Sequence, residues 1–335
     1  MVKKKYGRKY YLLIGFLLLC MVGSFWMQGL RAEAATGKQE IAISSGAKTP
    51  HVQTKVPANI SLNKTAVSML VGKTQQFTLK NATGKVTWSS SKPSVITVSQ
   101  TGKLKAKSNG KCIVTAKYRK KTYRCTVTVY SSHKTQRTAL LQKKYTKAKD
   151  QGKIVLAGSS MFELWPDFAS AFAPYETINV GIRGTTVDDW LQLYPKLIVK
   201  YKPKAVVLYV GGNNIQKNEA NLGKITSAKQ QKLLKKLREA LPGVPIYFVS
   251  IHPNWKRWSA WEQTQICNNL TKQFCAKQKK TYFIDITQYC LTKKGVPNKA
   301  LLRDDMLHLN SKGYTKVWKN HVAVRVKRDL RAMGK

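Results

Sequence analysis

The chain has 335 residues, room for two domains and at least one sizeable core. Its 60 lysines and arginines face 15 aspartates and glutamates, a formal charge of +45 that predicts association with polyanions. The cysteines form no CxxC pair and no Cys/His spacing suited to zinc, and HExxH is absent, so zinc chemistry is unsupported.

At the N-terminus, Lys3, Lys4, Lys5, Arg8 and Lys9 make a basic head, residues 12–26 an apolar body, and Ala32 and Ala34 the small residues a signal peptidase reads. Residues 1–34 are therefore expected to be an export signal, cut after Ala34. The alternative is a retained membrane anchor, although the body is shorter than the ~20 residues that span a bilayer comfortably. Three leucines precede Cys20, which speaks against a lipidated cysteine. Export also ranks the polyanions. Anionic wall polymers and lipid headgroups come first, and nucleic acid is not expected as a partner. The competing reading is a basic surface that serves solubility alone. Five cysteines remain after cleavage, so at least one thiol is unpaired. Cys267 and Cys275, eight apart on an expected helix, stand ~12 Å apart along its axis, too far to bridge.

Residues 35–56 are polar and aperiodic, a linker. From 57 to 130 short alternating strands are expected at residues 76–79, 85–89, 95–98, 112–118 and 123–130, with turn residues between them. That spacing, without a helical period, predicts a small all-β sandwich. Matching the apolar faces of the last two strands sets Ala116 opposite Cys125 and leaves Cys112 ~13 Å from Cys125. Ile60 to Asn63, Leu70 to Gly72, Val86 to Ser91, Val95 to Val98, Gly102 and Cys125 to Val129 resemble the bacterial immunoglobulin-like group 2 domains. The resemblance implies an extracellular spacer or adhesion module and names no ligand.

Residues 131–150 are strongly basic and helical in composition, a connecting helix. From 151 to 335 the pattern alternates. Strands are expected at 154–157, 177–180, 205–210, 246–251 and 282–286, and helices at 187–201, 227–241, 258–279 and 311–333. Five near-continuous apolar strands alternating with helices predict an α/β fold, a doubly wound parallel sheet. The first strand stops at Gly158, and Ser159 and Ser160 open a helix at the carboxyl rim, where such sheets place function. Either serine can equally serve as a helix cap.

Polar groups fall at the same rim. Gly181 to Gly184 follow the second strand, Gly211 to Asn214 the third, and His252 the fourth, while Arg303 to His308 precede the final helix. Ester hydrolysis needs a nucleophile, a base, a group that orients the base, and donors for the oxyanion. Ser160 supplies the hydroxyl. His51 and His133 lie outside this domain and His321 falls inside a helix, which leaves His308 and His252. Asp305, three residues before His308, can fold back onto its imidazole. His252 has no carboxylate nearby in sequence and reads as substrate-side or structural. No GxSxG elbow occurs, although the order Ser, Asp, His is that of the α/β-hydrolases.

These blocks resemble the SGNH hydrolases, or GDSL-like esterases and lipases, across most of residues 150–325. Gly158-Ser159-Ser160 matches the nucleophile block, Gly184 the second, Asn213 the third, and Asp305 with His308 the DxxH block. The resemblance implies a flavodoxin-like doubly wound sheet and a triad of Ser160, Asp305 and His308. It also implies an oxyanion hole made by Ser160 N–H, Gly184 N–H and the Asn213 amide, with no metal or organic cofactor. Two positions depart from the family. Ser159 stands for the usual Asp, and Asn214 for the Asp after the third-block Asn. Neither supplies a catalytic atom.

The sequence thus predicts a secreted, cell-surface or wall-associated serine esterase acting on short-chain, acetyl esters of wall or extracellular polysaccharide. Trp255, Trp258 and Trp261 are candidates to stack on sugar rings, or to pack against the sheet. The competing class is a catalytically silent surface protein that binds anionic wall polymers. A lipase is disfavoured because no long apolar lid is visible.

Overall fold

The computed structural model describes residues 59–334. The expected export signal, the linker and the first residues of the β domain lie outside the described residues.

Nine strands form the N-terminal part: β1 (Ser61–Leu62), β2 (Ala66–Leu70), β3 (Thr74–Gln76), β4 (Leu79–Lys80), β5 (Thr87–Ser90), β6 (Ile96–Val98), β7 (Lys103–Ala106), β8 (Gly110–Tyr118) and β9 (Lys121–Tyr130). They make a four-stranded sheet β2-β9-β8-β5, a three-stranded sheet β3-β7-β6 and the pair β1-β4. Alternate residues turn inward, so Phe77, Leu104, Val114, Cys125, Val127 and Val129 are fully buried in one core. The sequence reading misses β1, β2 and β7, which are short or carry lysines on every outward position. The strand expected at 76–79 is broken at Phe77, whose N–H is taken by the Gly102 carbonyl at 2.9 Å.

The β8–β9 register corrects the sequence expectation. Val114, not Ala116, stands opposite Cys125, and Cys112 faces Val127. A slip of two residues keeps every side chain on its face, so apolar matching cannot separate the two registers. The turn decides. Tyr118 pairs with Lys121, and Arg119 takes a left-handed φ of 53° in the two-residue loop. All five described cysteines are buried and unbridged.

The α/β part runs α1 (His133–Lys144), α2 (Lys147–Asp150), β10 (Ile154–Gly158), α3 (Ser160–Glu163), α4 (Phe168–Phe172), β11 (Thr177–Asn179), α5 (Val187–Leu197), β12 (Ala205–Tyr209), α6 (Leu222–Ala240), β13 (Ile246–Val249), α7 (Trp261–Ala276), β14 (Thr281–Ile284) and α8 (Thr287–Cys290). A last helix spans residues 311–332 and is π-helical over Tyr314–Ala323. The five strands are parallel in the order β11-β10-β12-β13-β14, the flavodoxin-like order. Both faces are covered, which is why the strands read as continuous apolar runs. Ile154, Leu156, Val207 and Tyr209 pack under α3, α4 and the last helix; Val155, Ala157, Val206 and Leu208 pack against α1, α5 and α6. The crevice at the carboxyl ends lies beside β10, the point where strand order reverses.

Two features fix the rim. Gly158 has φ 150°, and a Cβ there would run into the Tyr209 carbonyl of β12. Only glycine lets β10 turn so close to its neighbour. Beside it the ring of His252, 2 % exposed, bridges Tyr209 and the loop before the last helix. Its Nε2 lies 3.0 Å from the Leu307 carbonyl and its Nδ1 2.7 Å from the Tyr209 hydroxyl. The carbonyl can only accept, so Nε2 carries the proton and Nδ1 accepts from the tyrosine. Burial lowers the His252 pKa to about 4 from an ordinary 6.5.

Gly158→Ala should therefore destabilise the fold by about 3 kcal/mol or more, read from urea unfolding. Between pH 6.5 and 4 the unfolded chain protonates at position 252 while the native chain does not, so stability falls as pH falls through that window. The full window is worth about 3 kcal/mol. The non-titrating His252→Gln should flatten the slope of urea midpoint against pH; an unchanged slope would remove His252 as its source.

Candidate active site

Ser160 begins α3 directly after the Gly158 turn. Ser159 is the N-cap residue of α3, but no side-chain cap bond forms there, so capping does not account for these hydroxyls. The Ser160 Oγ instead lies 2.8 Å from His308 Nε2, and His308 Nδ1 lies 2.6 Å from Asp305 Oδ2. A carboxylate only accepts, so Nδ1 holds the proton and Nε2 is free to accept from the serine hydroxyl. Burial works to raise the Asp305 carboxyl, but the His308 ring and the N–H groups of His308 and Leu307 outweigh it and hold its pKa to about 2.

Asp305 and His308 sit on one closed turn. Leu302 bridges Leu309, Arg303 N–H donates to the His308 carbonyl at 2.7 Å, and Met306 N–H donates to the Arg303 carbonyl at 2.9 Å. Met306 is left-handed, with φ 55°, which brings Asp305 back under the imidazole. Lys256 N–H to the Met306 carbonyl ties this turn to the loop after β13.

Gly184 and Asn213 lie on the two flanking loops. Gly184 has φ 73°, the left-handed turn that glycine adopts without strain. Thr185 Oγ1 donates to the Ile182 carbonyl and accepts from the Trp190 indole, which fixes this loop. Asn213 Nδ2 donates to the Thr185 carbonyl at 2.9 Å. The N–H groups of Ser160 and Gly184 and the second Nδ2 hydrogen of Asn213 have no acceptor among the described residues. Unpaired donors held by rigid turns are what a developing oxyanion requires. Asn214, which departs from the family pattern, accepts from Val187 N–H at 3.0 Å and so helps to cap α5 beside Thr186.

Sequence reasoning missed the braces behind these loops. The Glu163 carboxylate, one turn after Ser160, accepts from Arg183 N–H, from Arg183 Nε at 3.2 Å and from His133 Nε2 of α1 at 3.1 Å. Asn179 donates to the Phe162 carbonyl and accepts from Gly181 N–H. Arg257 donates to the Gly212 carbonyl and to Asn213 Oδ1. The scarcity of acids marks Glu163 in retrospect; nothing marks Arg257 among so many cations.

Ser160, Asn213, His252, Arg257, Trp261 and Leu307 line a pocket with a cavity volume of about 20 Å³. His252 contributes shape to its wall, because both ring nitrogens are already engaged. Trp255 packs against the sheet core and donates to the Pro297 carbonyl, and Trp258 lies between Trp255 and Trp261 at ring separations of 6.1 and 5.7 Å. Of the three tryptophans, Trp261 faces the pocket. Among the described residues no three His, Cys, Asp or Glu side chains are grouped to hold a metal ion.

Comparison with known proteins bears on the fold and the family. Residues 155–316 match the GDSL-like Lipase/Acylhydrolase family and residues 57–129 the Bacterial Ig-like domain (group 2). A candidate platelet activating factor from Streptococcus pneumonia shares the fold with a TM-score of 0.51 and 17 % identity, over 59 % of this chain and 92 % of that one. A GDSL-like lipase from Bacteroides thetaiotaomicron is similar over 59 % of this chain and 97 % of its own, with 18 % identity and a TM-score of 0.46. An acetylxylan esterase from Geobacillus stearothermophilus is similar over 54 % and 96 %, with 16 % identity and a TM-score of 0.41. A comparison with curated proteins found no match. Residues 155–316 thus form a GDSL-like lipase/acylhydrolase domain, an ester-hydrolysing hydrolase carried behind a group 2 bacterial Ig-like domain at residues 57–129.

Proposed function

We propose that the protein is a secreted serine esterase that removes short acyl groups, acetyl above all, from wall or extracellular polysaccharide. The observation that carries the mechanism is the continuous Asp305–His308–Ser160 hydrogen-bond chain. His308 Nε2 takes the Ser160 proton as Oγ bonds to the ester carbonyl carbon. The carbonyl electron pair moves onto oxygen, where Ser160 N–H, Gly184 N–H and Asn213 Nδ2 stabilise it. Collapse breaks the bond to the alcohol, and His308 returns the proton to that leaving oxygen. Water then repeats the sequence on the acyl-enzyme with His308 again as base. Asp305 stays ionised and keeps the imidazole in the productive tautomer.

The small cavity beside the serine, about 20 Å³, supports a short acyl group over a long chain. No helix among the described residues is long and apolar enough to cross a membrane. The Ig-like domain supports work outside the cell and suggests where an anionic polymer would bind. Fourteen lysines and arginines, all exposed, and no acid lie between residues 59 and 130. Lys103 and Lys105 share one outward face of β7, about 7 Å apart and flanked by Thr74, Gln76 and Thr97, and the exposed Lys107 follows the strand directly. That row supports anionic wall polymer as the partner that holds the enzyme near its substrate.

Ser160→Ala and His308→Ala should each lower turnover of an aryl acetate by about a thousandfold or more with unchanged thermal unfolding. Background rates shared by parent and variants would instead favour a silent binding protein. Retention on immobilised polyphosphate should fall with added salt, and further when Lys103, Lys105 and Lys107 become serine. Retention indifferent to both would remove the polymer from the reading.

A further inference from the structure

We infer that Arg257 is a positioning residue that locks the Asn213 carboxamide with its N–H toward the oxyanion. The inference rests on the esterase reading. It begins with a problem that every asparagine in an oxyanion hole presents. Oxygen and nitrogen of a carboxamide are nearly the same size, and a half-turn of χ2 would aim lone pairs at the developing negative charge instead of hydrogens. Something must forbid that turn.

Arg257 does so from one side and Thr185 from the other. Arg257 Nη2 lies 2.9 Å from Asn213 Oδ1, and Asn213 Nδ2 lies 2.9 Å from the Thr185 carbonyl. A guanidinium only donates and a carbonyl only accepts, so both contacts select the same orientation. Arg257 Nη1 donates to the Gly212 carbonyl at 2.6 Å, which fixes the peptide leading into Asn213 as well. The guanidinium thus spans backbone and side chain together, which a single ammonium cannot do. Withdrawing electron density through Oδ1 also makes the Nδ2 hydrogens better donors.

The charge itself points the same way. Arg257 lines the Ser160 pocket yet forms no ion pair with an Asp or Glu among the described residues. Arg257 is half-buried, and that burial pushes its pKa down. A half-buried cation with hydrogen-bond acceptors but no acidic partner carries a partial desolvation cost in the resting enzyme. It gains a counter-charge when the tetrahedral intermediate forms at Ser160. The local chain is shaped for this reach. Asn254 Oδ1 accepts from Arg257 N–H at 3.1 Å, and the backbone of Arg257, φ −128° and ψ 28°, breaks the short helix Trp255–Ala260.

The test is a double-mutant cycle on the full protein with an aryl acetate. Arg257→Met should lower kcat by about tenfold or more while KM moves by less than about twofold. Arg257→Lys, which keeps charge and stem, should lie between parent and Arg257→Met. In an Asn213→Ala background, Arg257→Met should cost less than about twofold more, because Arg257 acts through that amide. Phosphonylation of Ser160 by an aryl fluorophosphonate, read by mass, should slow in the same order. Independent, multiplying losses in the cycle, or a rise in KM with kcat unchanged, would overturn the role and make Arg257 a fold or substrate contact. An unfolded Arg257→Met leaves the decision to Arg257→Lys, whose kcat must fall for the role to stand. A parent inert in both assays sinks the esterase reading and this role with it; an active parent with an unaltered Arg257→Met sinks the role alone.

Discussion

The hydrogen bond between Ser160 Oγ and His308 Nε2 joins the first strand–helix junction of the sheet to the turn before the last helix, 148 residues later. Every larger feature of the α/β part bears on its length. The parallel order sets β10 next to β12, and Gly158 lets the two strands end in contact. Tyr209 and His252 then carry that position across to Leu307, the residue before His308. From the other side, the hydroxyl of Tyr314 on the last helix holds the Met161 carbonyl at 2.8 Å, one residue after Ser160. Serine and histidine are thus each fixed by a contact made with the other's neighbour. A bond of this range is a consequence of sheet topology more than of any local preference.

Much of this was legible in the chain, and what was not has identifiable physical reasons. Five apolar runs gave the parallel sheet because strands covered on both faces have no polar alternation to confuse them. Ser160, Gly184, Asn213, Asp305 and His308 were readable because each sits at a fixed place after a strand or on a short turn. The β8–β9 register was not, because the side-chain period of two makes a two-residue slip invisible to facing arguments. Strand β7 was hidden by its lysines, which suit an outward face and mimic a loop. Arg257 was illegible for a different reason. Its meaning lies in two acceptors more than forty residues away, and one arginine among 60 basic residues gives no sequence signal.

Charge is distributed by role. The Ig-like part carries cations with no local acids, so its surface potential is unrelieved and long-range. In the hydrolase part several of the few acids hold the fold together. Glu163 gathers Arg183 and His133, Asp189 caps α5 and holds Lys134, and Asp150 meets Lys153. The helix that leaves the β-sandwich, α1, is therefore stitched to the loop that presents Gly184. Arg137 adds a contact to the Gly181 carbonyl. In a chain this basic, an acid is a scarce structural reagent, and its location shows where the fold needs precision.

The left-handed turn at Met306 has one more consequence. Asp305 and His308 share a six-residue loop closed by its own backbone bonds, so their mutual geometry is set largely within that loop. The pair behaves as a cartridge, preassembled and then docked against the serine by His252 and Lys256. Loosening of the domain would first widen the gap across the docking seam, between residues 160 and 308, with the Asp305–His308 bond still intact. Such a protein would lose the Ser160–His308 bond while its histidine kept the same tautomer.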